Sequence, residues 1–293
     1  MKWLAILQGM NVNLGFTELR TIIASIGQND GDGVAKLENA RNGIDATRFL
    51  PTLERFANTS FDARGLGLTV PPERWLIDND VALSVDLKPD EFKKKIFAHA
   101  CYSALTHQWI FRKSKSGGFF MMSLHTRPVH FIGHGPIDTL FGLSTLAHEL
   151  GHSTTPSHVS LESLFLEFPT SLNDDVLVSN EDDSYRYERI FMEHANALAP
   201  RPLNGNEHNY SEKLAMRKAI QNNLHVLKNR MNFCFFSGMA LAEISNQFQT
   251  LIKEIYPEYS PLAPSDWLRY STLDQPLSRI GYLKAYQTVF LPS

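Results

Sequence analysis

Apolar residues recur every three to four positions along most of the chain, the spacing that lines one face of a helix. This pattern predicts a helix over about Phe16 to Ile26. Leu37, Ala40, Ile44, Phe49, Leu53 and Phe56 extend it through Val34 to Phe61. Pro51 opens a new helix inside that stretch, because its fixed φ and missing N–H suit a first turn. Gly27 to Gly33 and Arg64 to Pro72 read as loops. Pro89-Asp90-Glu91 starts an amphipathic helix to about Thr106, with its acids at the positive end of the helix dipole. The period then changes. Trp109-Ile110-Phe111, Phe119 to Leu124 and Val129 to Ile132 read as strands, with a turn at Lys113 to Gly118. Asp138-Thr139 can cap the helix that follows. Further helices are expected at Leu161 to Leu177, Tyr185 to Leu198, Tyr210 to Phe236, Met239 to Ile255 and Leu277 to Phe290. Asn180 to Asp183 reads as an exposed acidic segment. The expected class is mainly α, with a small antiparallel sheet just before the helix around residue 148.

Composition narrows the function without naming it. The chain has 293 residues, 43% hydrophobic, and a formal net charge of −3. That length is ample for a large core. The near-neutral balance gives no electrostatic footprint for nucleic acid or for an acidic membrane surface. The apolar run from Trp3 to Leu7 is too short for a signal peptide or a membrane span. The default expectation is a cytoplasmic protein, with export that needs no signal left open. Cys101 and Cys234 lie among apolar residues and read as two buried thiols, not as a disulfide or a thiolate metal site. Oligomeric state is left open.

The segment Thr145-Leu-Ala-His148-Glu149-Leu-Gly-His152 carries the chemistry. Residues four apart share a helix face, so His148 and His152 can grip one Zn²⁺ ion from consecutive turns. Glu149 stands one residue from His148, where it can act as general base on a water. Two imidazoles leave zinc short of its usual three protein ligands. His158 has the spacing of a metzincin third ligand, but Thr155 and Pro156 occupy the turn where that pattern needs glycine. Glu162, Glu181, Glu188 and Glu193 sit in no motif and read as solvated helix acids. His130 and His134 read as structural histidines.

A second stretch, Glu167-Phe-Pro169-Thr-Ser-Leu-Asn173-Asp174, resembles the Glu-Phe-Pro-Ser-x-x-Asn-Glu motif of the thimet oligopeptidase and oligoendopeptidase F family of zinc peptidases. The resemblance implies that Glu167 is the third zinc ligand and that Asp174 orients a ligand histidine from behind. Arg112-Lys-Ser-Lys115-Ser-Gly117-Gly118 resembles the family's Arg-x-x-Lys-x-Gly-Ala segment. Val129-His130-Phe131-Ile132 resembles the strand before the zinc helix. These imply substrate contacts at Gly117, Gly118 and His130, with a peptide held by β-augmentation. Gly281-Tyr282-x-x-x-Tyr286 resembles a segment whose tyrosines steady the tetrahedral intermediate, which gives Tyr282 and Tyr286 a catalytic role.

The implied protein is a gluzincin-like helical metallopeptidase. Residues 1–80 form a reduced N-terminal region and 81–293 the catalytic domain. It takes one Zn²⁺ and hydrolyses an extended peptide or protein segment. Three departures stand out. The family's members are much longer. Only 14 residues separate His152 from Glu167, fewer than the family shows. Leu277 replaces a histidine that donates to the oxyanion there. The other expectation is therefore a catalytically weakened zinc-binding fold that acts as a partner-binding or effector module.

Overall fold

A computed structural model describes residues 16–25, 31–103, 107–114, 118–123, 129–154, 174–204 and 209–291. In chain order the elements are α1 (16–25), α2 (Gly31–Asn42), α3 (Leu50–Ala57), α4 (Pro72–Asp78) and α5 (Pro89–His99). Strands β1 (Gln108–Lys113), β2 (Phe119–Ser123) and β3 (Val129–His134) follow. Then come α6 (Leu140–His152), α7 (Asp174–Glu193), α8 (Ala195–Leu198), α9 (Tyr210–Phe236), α10 (Leu241–Ile255) and α11 (Ile280–Phe290). The fold is mainly α with one small sheet. Among the described residues no helix is long and apolar enough to cross a membrane.

Three local expectations change. Helix α2 begins at Gly31, inside the stretch read as a loop. Helix α5 stops at His99, well short of Thr106. Cys101 takes a left-handed φ of 53°, and the Tyr102 and Cys101 N–H groups bond back to Phe97 O and Ala98 O. This is a Schellman stop, sealed by the Phe97 and Tyr102 rings 4.9 Å apart. No glycine marks it, so the sequence pattern runs past it. The same turn leaves Cys101 exposed, while Cys234 is buried. The expectation of two buried thiols holds for Cys234 alone.

The sheet is mixed, not antiparallel throughout. Its order is β1-β3-β2. β2 pairs antiparallel with β3, as read, but β1 pairs parallel with β3. The turn after Lys113 does not close a hairpin, because β3 inserts between the two earlier strands. β3 is thus bonded on both sides, and β1 and β2 form the outer edges.

The chain forms two compact units, each built from several returns of the backbone. One comprises residues 1–72, 157–177 and 219–283, and the other 73–156, 178–218 and 284–293. The sequence reading drew a single boundary after residue 80. In the first unit, buried asparagines on α9 bind the backbone packed around it. Asn223 exchanges two hydrogen bonds with the Asp62 backbone, and Asn229 donates to Leu53 O in α3. Asn232 donates to Pro276 O. The bonds to Asp62 and Pro276 satisfy loop groups that burial would otherwise orphan.

In the second unit the core gathers around α6. Phe92 and Ile96 from α5, Ile132 from β3 and Phe191 from α7 pack with Leu143, Leu146, Ala147 and Leu150. Two devices fix the start of α6. The Thr139 hydroxyl accepts from Gly142 N at 3.0 Å, and Asp80 Oδ1 accepts from Phe141 N at 2.9 Å. Both satisfy amides that the first turn leaves unbonded.

Candidate metal centre

The buried apolar face of α6 sets the direction of its histidines. With Leu143, Leu146, Ala147 and Leu150 committed to the core, His148 and His152 emerge together on an adjoining face. Their Nε2 atoms lie 3.1 Å apart. Helix α7 crosses next to them. Gly151 allows this, because any Cβ there would meet the backbone of Asp183 and Ser184. The crossing aims Glu181, Ser184 and Glu188 at the pair, at positions i, i+3 and i+7 of one helical face.

Each imidazole is held from behind. His148 Nδ1 donates to Glu188 Oε1 at 2.7 Å, and His152 Nδ1 is hydrogen-bonded to Ser184 Oγ at 2.8 Å. With the Nδ1 atoms engaged, the two Nε2 atoms are the ones turned to the same place. Glu181 Oε2 lies 3.4 Å from His148 Nε2 and 3.9 Å from His152 Nε2. One donor atom from each of the three residues falls within 4.8 Å of the others. Two imidazole nitrogens and a carboxylate oxygen are a donor set suited to zinc.

The electrostatics favour a cation at this place. Glu188 is ion-paired with Lys218 of α9, whose ammonium also lies 3.5 Å above the Tyr185 ring. Burial opposes the Glu188 carboxylate, but Lys218 and His148 outweigh it and hold its pKa below the usual range. Burial pulls the His148 imidazole down, yet Glu188 and then Glu181 outweigh that and leave its pKa raised. Glu149 is 7% exposed. Desolvation, opposed by His148 and reinforced by Glu181 and Glu188, lifts its pKa to about 7.

No family model, curated protein or solved structure matches the chain.

The residues singled out in the sequence are placed unevenly. His148, Glu149 and His152 share one helix, with both imidazoles directed to one point. Gly118 lies directly against Glu149, where a Cβ would stand 2.5 Å from Glu149 Oε1. Glu167, Gly117 and His158 fall outside the described residues. Asp174 opens α7, with its side chain outside the described part. Tyr282 belongs to the other compact unit, where it stacks on His225 at 5.0 Å. Tyr286 is 1% exposed and stacks on Phe290 at 5.3 Å. Phe290 in turn meets Tyr185, whose ring touches His148.

His130 is 2% exposed. It points into an aromatic cluster with Trp109, and its Nε2 lies 3.0 Å from His107 Nδ1. Because β3 has partners on both sides, it has no free edge for a peptide. The strand-addition role implied for the His130 segment is corrected on that ground. His134 is also buried, with Nδ1 donating to Gly135 O at 2.9 Å.

Glu181 and Glu188 are the residues the sequence reading passed over. Their side chains are only 15% and 12% exposed, so they are not solvated acids. Glu193 does fit that description, since it pairs with Arg189 at the surface. The missed signal was the run Glu181-x-x-Ser184-Tyr185-x-x-Glu188, which is a polar face at helical spacing. It is hidden in the sequence because 180–183 reads as an exposed acidic segment and the next helix reads as starting at Tyr185.

Proposed function

We propose that this chain is a gluzincin-type zinc peptidase whose ion is held by His148 Nε2, His152 Nε2 and Glu181. The observation that carries the reading is the convergence of those three donors with both Nδ1 atoms already engaged. Among the described residues Glu181 fills the role that the resemblance assigned to Glu167. When bound, zinc supplies Lewis acidity, which polarises a peptide carbonyl and lowers the pKa of water. The remaining work falls to the chain. Glu149 accepts a proton from the attacking water and delivers it to the leaving amine nitrogen. Glu188 keeps the His148 imidazole in one tautomer, and Ser184 orients the His152 ring. Burial around Glu149 excludes bulk water from the proton transfer. No side-chain nucleophile takes part, so no acyl-enzyme forms.

The substrate is an extended peptide or unfolded protein segment. Among the described residues β2 pairs with β3 alone, and it starts at Phe119, directly after Gly118, which lies beside Glu149. A peptide added to its outer edge passes the base, which makes β2 the better candidate for strand addition. Metal analysis combined with a peptide-library digest, with and without chelator, tests the reading. One zinc per chain and chelator-sensitive cleavage are expected. Glu149→Gln should keep the metal and the fold while cleavage is lost. A metal-free chain, or cleavage indifferent to chelator, refutes the peptidase.

Two observations favour the second reading, a zinc-stabilised partner-binding module. Tyr286 is almost wholly buried against Phe290, and Leu277 stands where the family carries a histidine. Both features deprive the site of oxyanion donors. A biological effect that survives Glu149→Gln unchanged would select this module over the enzyme.

A further inference from the structure

We propose that Gly118 is a positioning residue for Glu149: the absence of a side chain at 118 leaves the space in which the Glu149 carboxyl group lies. The inference rests on the peptidase reading above and adds a role that the resemblance did not imply, since there Gly118 was a substrate contact. A Cβ built on Gly118 would lie 2.5 Å from Glu149 Oε1, 2.6 Å from its Cγ and 2.9 Å from its Cδ. Non-bonded carbon atoms do not approach so closely, so one side must yield. Gly118 does not adopt the left-handed conformation that would itself demand glycine. The close neighbour is therefore the reason for a glycine here.

What yields decides the consequence. At Gly142 and Gly151 a Cβ would strike backbone, namely Pro136 O and Ser184 Cα. At Gly118 it would strike the end of one flexible side chain. That side chain can swing to another rotamer at small cost to the fold. Its main chain cannot follow, because Glu149 sits inside helix α6. A methyl group at 118 therefore moves the proton-accepting oxygens and little else. An error of about 1 Å in a reacting group can cost about 10²-fold in rate.

The test is Gly118→Ala in the full chain. We expect kcat to fall about 10–100-fold, with KM, zinc affinity and melting temperature close to wild type. Glu149→Asp withdraws the carboxyl group from residue 118, so its cost in kcat should be smaller in the G118A background than in wild type. If G118A fails to fold, G118A/E149A should recover the stability of E149A alone. Full kcat in G118A, strictly additive effects with E149D, a changed KM at constant kcat, or a double variant as unstable as G118A each overturn the inference. A wild-type chain with no peptidase activity overturns the underlying reading, and this inference with it.

Discussion

Gly151 on α6 and Ser184 on α7 meet backbone to backbone, so closely that a Cβ on Gly151 would stand 2.5 Å from Ser184 Cα. Everything α7 brings to the centre depends on this approach. Ser184 supports His152, and one turn to either side Glu181 and Glu188 reach His148. The smallest residue at 151 therefore sets how far the third donor stands from the two imidazoles. Gly151→Ala should push α7 away, because here no flexible side chain can absorb the clash. The expected result is a stability loss of about 1–3 kcal/mol and a zinc affinity at least about 10-fold lower, given how sensitive such sites are to their supports. Denaturant melts and a chelator-competition titration measure the two effects. A G151A protein that binds zinc as tightly as wild type would show that the crossing does not position the ligands.

Glu181 and Glu167 make opposite claims on the third position, and single substitutions separate them. Glu181→Gln keeps the size of the side chain and removes its charge. It should weaken zinc binding by more than the ~10–100-fold typical of losing an outer support. Glu167→Gln should leave affinity near wild type. The reverse pattern in a competition titration would return the role to Glu167.

How far the site was legible in the sequence follows from how each residue is positioned. His148, Glu149 and His152 lie on one helix, so their relation is local and spacing alone reveals it. The Pro51 and Pro89 helix starts and the Thr139 cap were readable for the same reason. Glu181, Ser184 and Glu188 reach the centre through a helix crossing, and no local pattern states which face of α7 meets α6. An acidic run such as Glu181-Asp182-Asp183 resembles a solvated segment unless the partner helix is known. Sheet order is likewise a non-local choice. The strands of β1 and β2 were read correctly, but nothing in their residues reports that β3 lies between them.

His130 provides a pH signature away from the proposed metal ligands. Burial, reinforced by His107, depresses its pKa from 6.5 to about 4. His107 faces it across the hydrogen bond, while Lys93 and Tyr102 flank the same aromatic cluster. Between pH 6.5 and 4 the unfolded chain binds a proton at this position that the folded chain refuses. Stability is therefore unaffected by His130 above pH 6.5 and is lost as pH falls, by about 2 kcal/mol at pH 5. Replacing His130 with Phe keeps a flat ring on Trp109 and removes the titration. Unfolding free energies measured at pH 7.5 and pH 5 should differ by about 2 kcal/mol less in H130F than in wild type. Equal differences in the two proteins would show that His130 accepts its proton as readily folded as unfolded.

Tyr286 can be assigned by removing one atom and then the whole ring. The resemblance makes its hydroxyl an oxyanion donor, and loss of such a donor costs about 10²–10³-fold in kcat. Its position in the core, 1% exposed and stacked on Phe290, instead makes the ring a spacer behind Tyr185 and so behind His148. On that geometry Tyr286→Phe should keep kcat within about 3-fold, since the ring stack survives without the hydroxyl. Tyr286→Ala should cost about 3–5 kcal/mol of stability through the cavity it leaves. It should also loosen zinc binding, because Phe290 and Tyr185 lose their backing. Steady-state kinetics on Y286F carry the decision. A 100-fold fall in kcat with an unchanged melting temperature would restore the tyrosine to the reaction itself, and would require the α11 end of the chain to open during turnover.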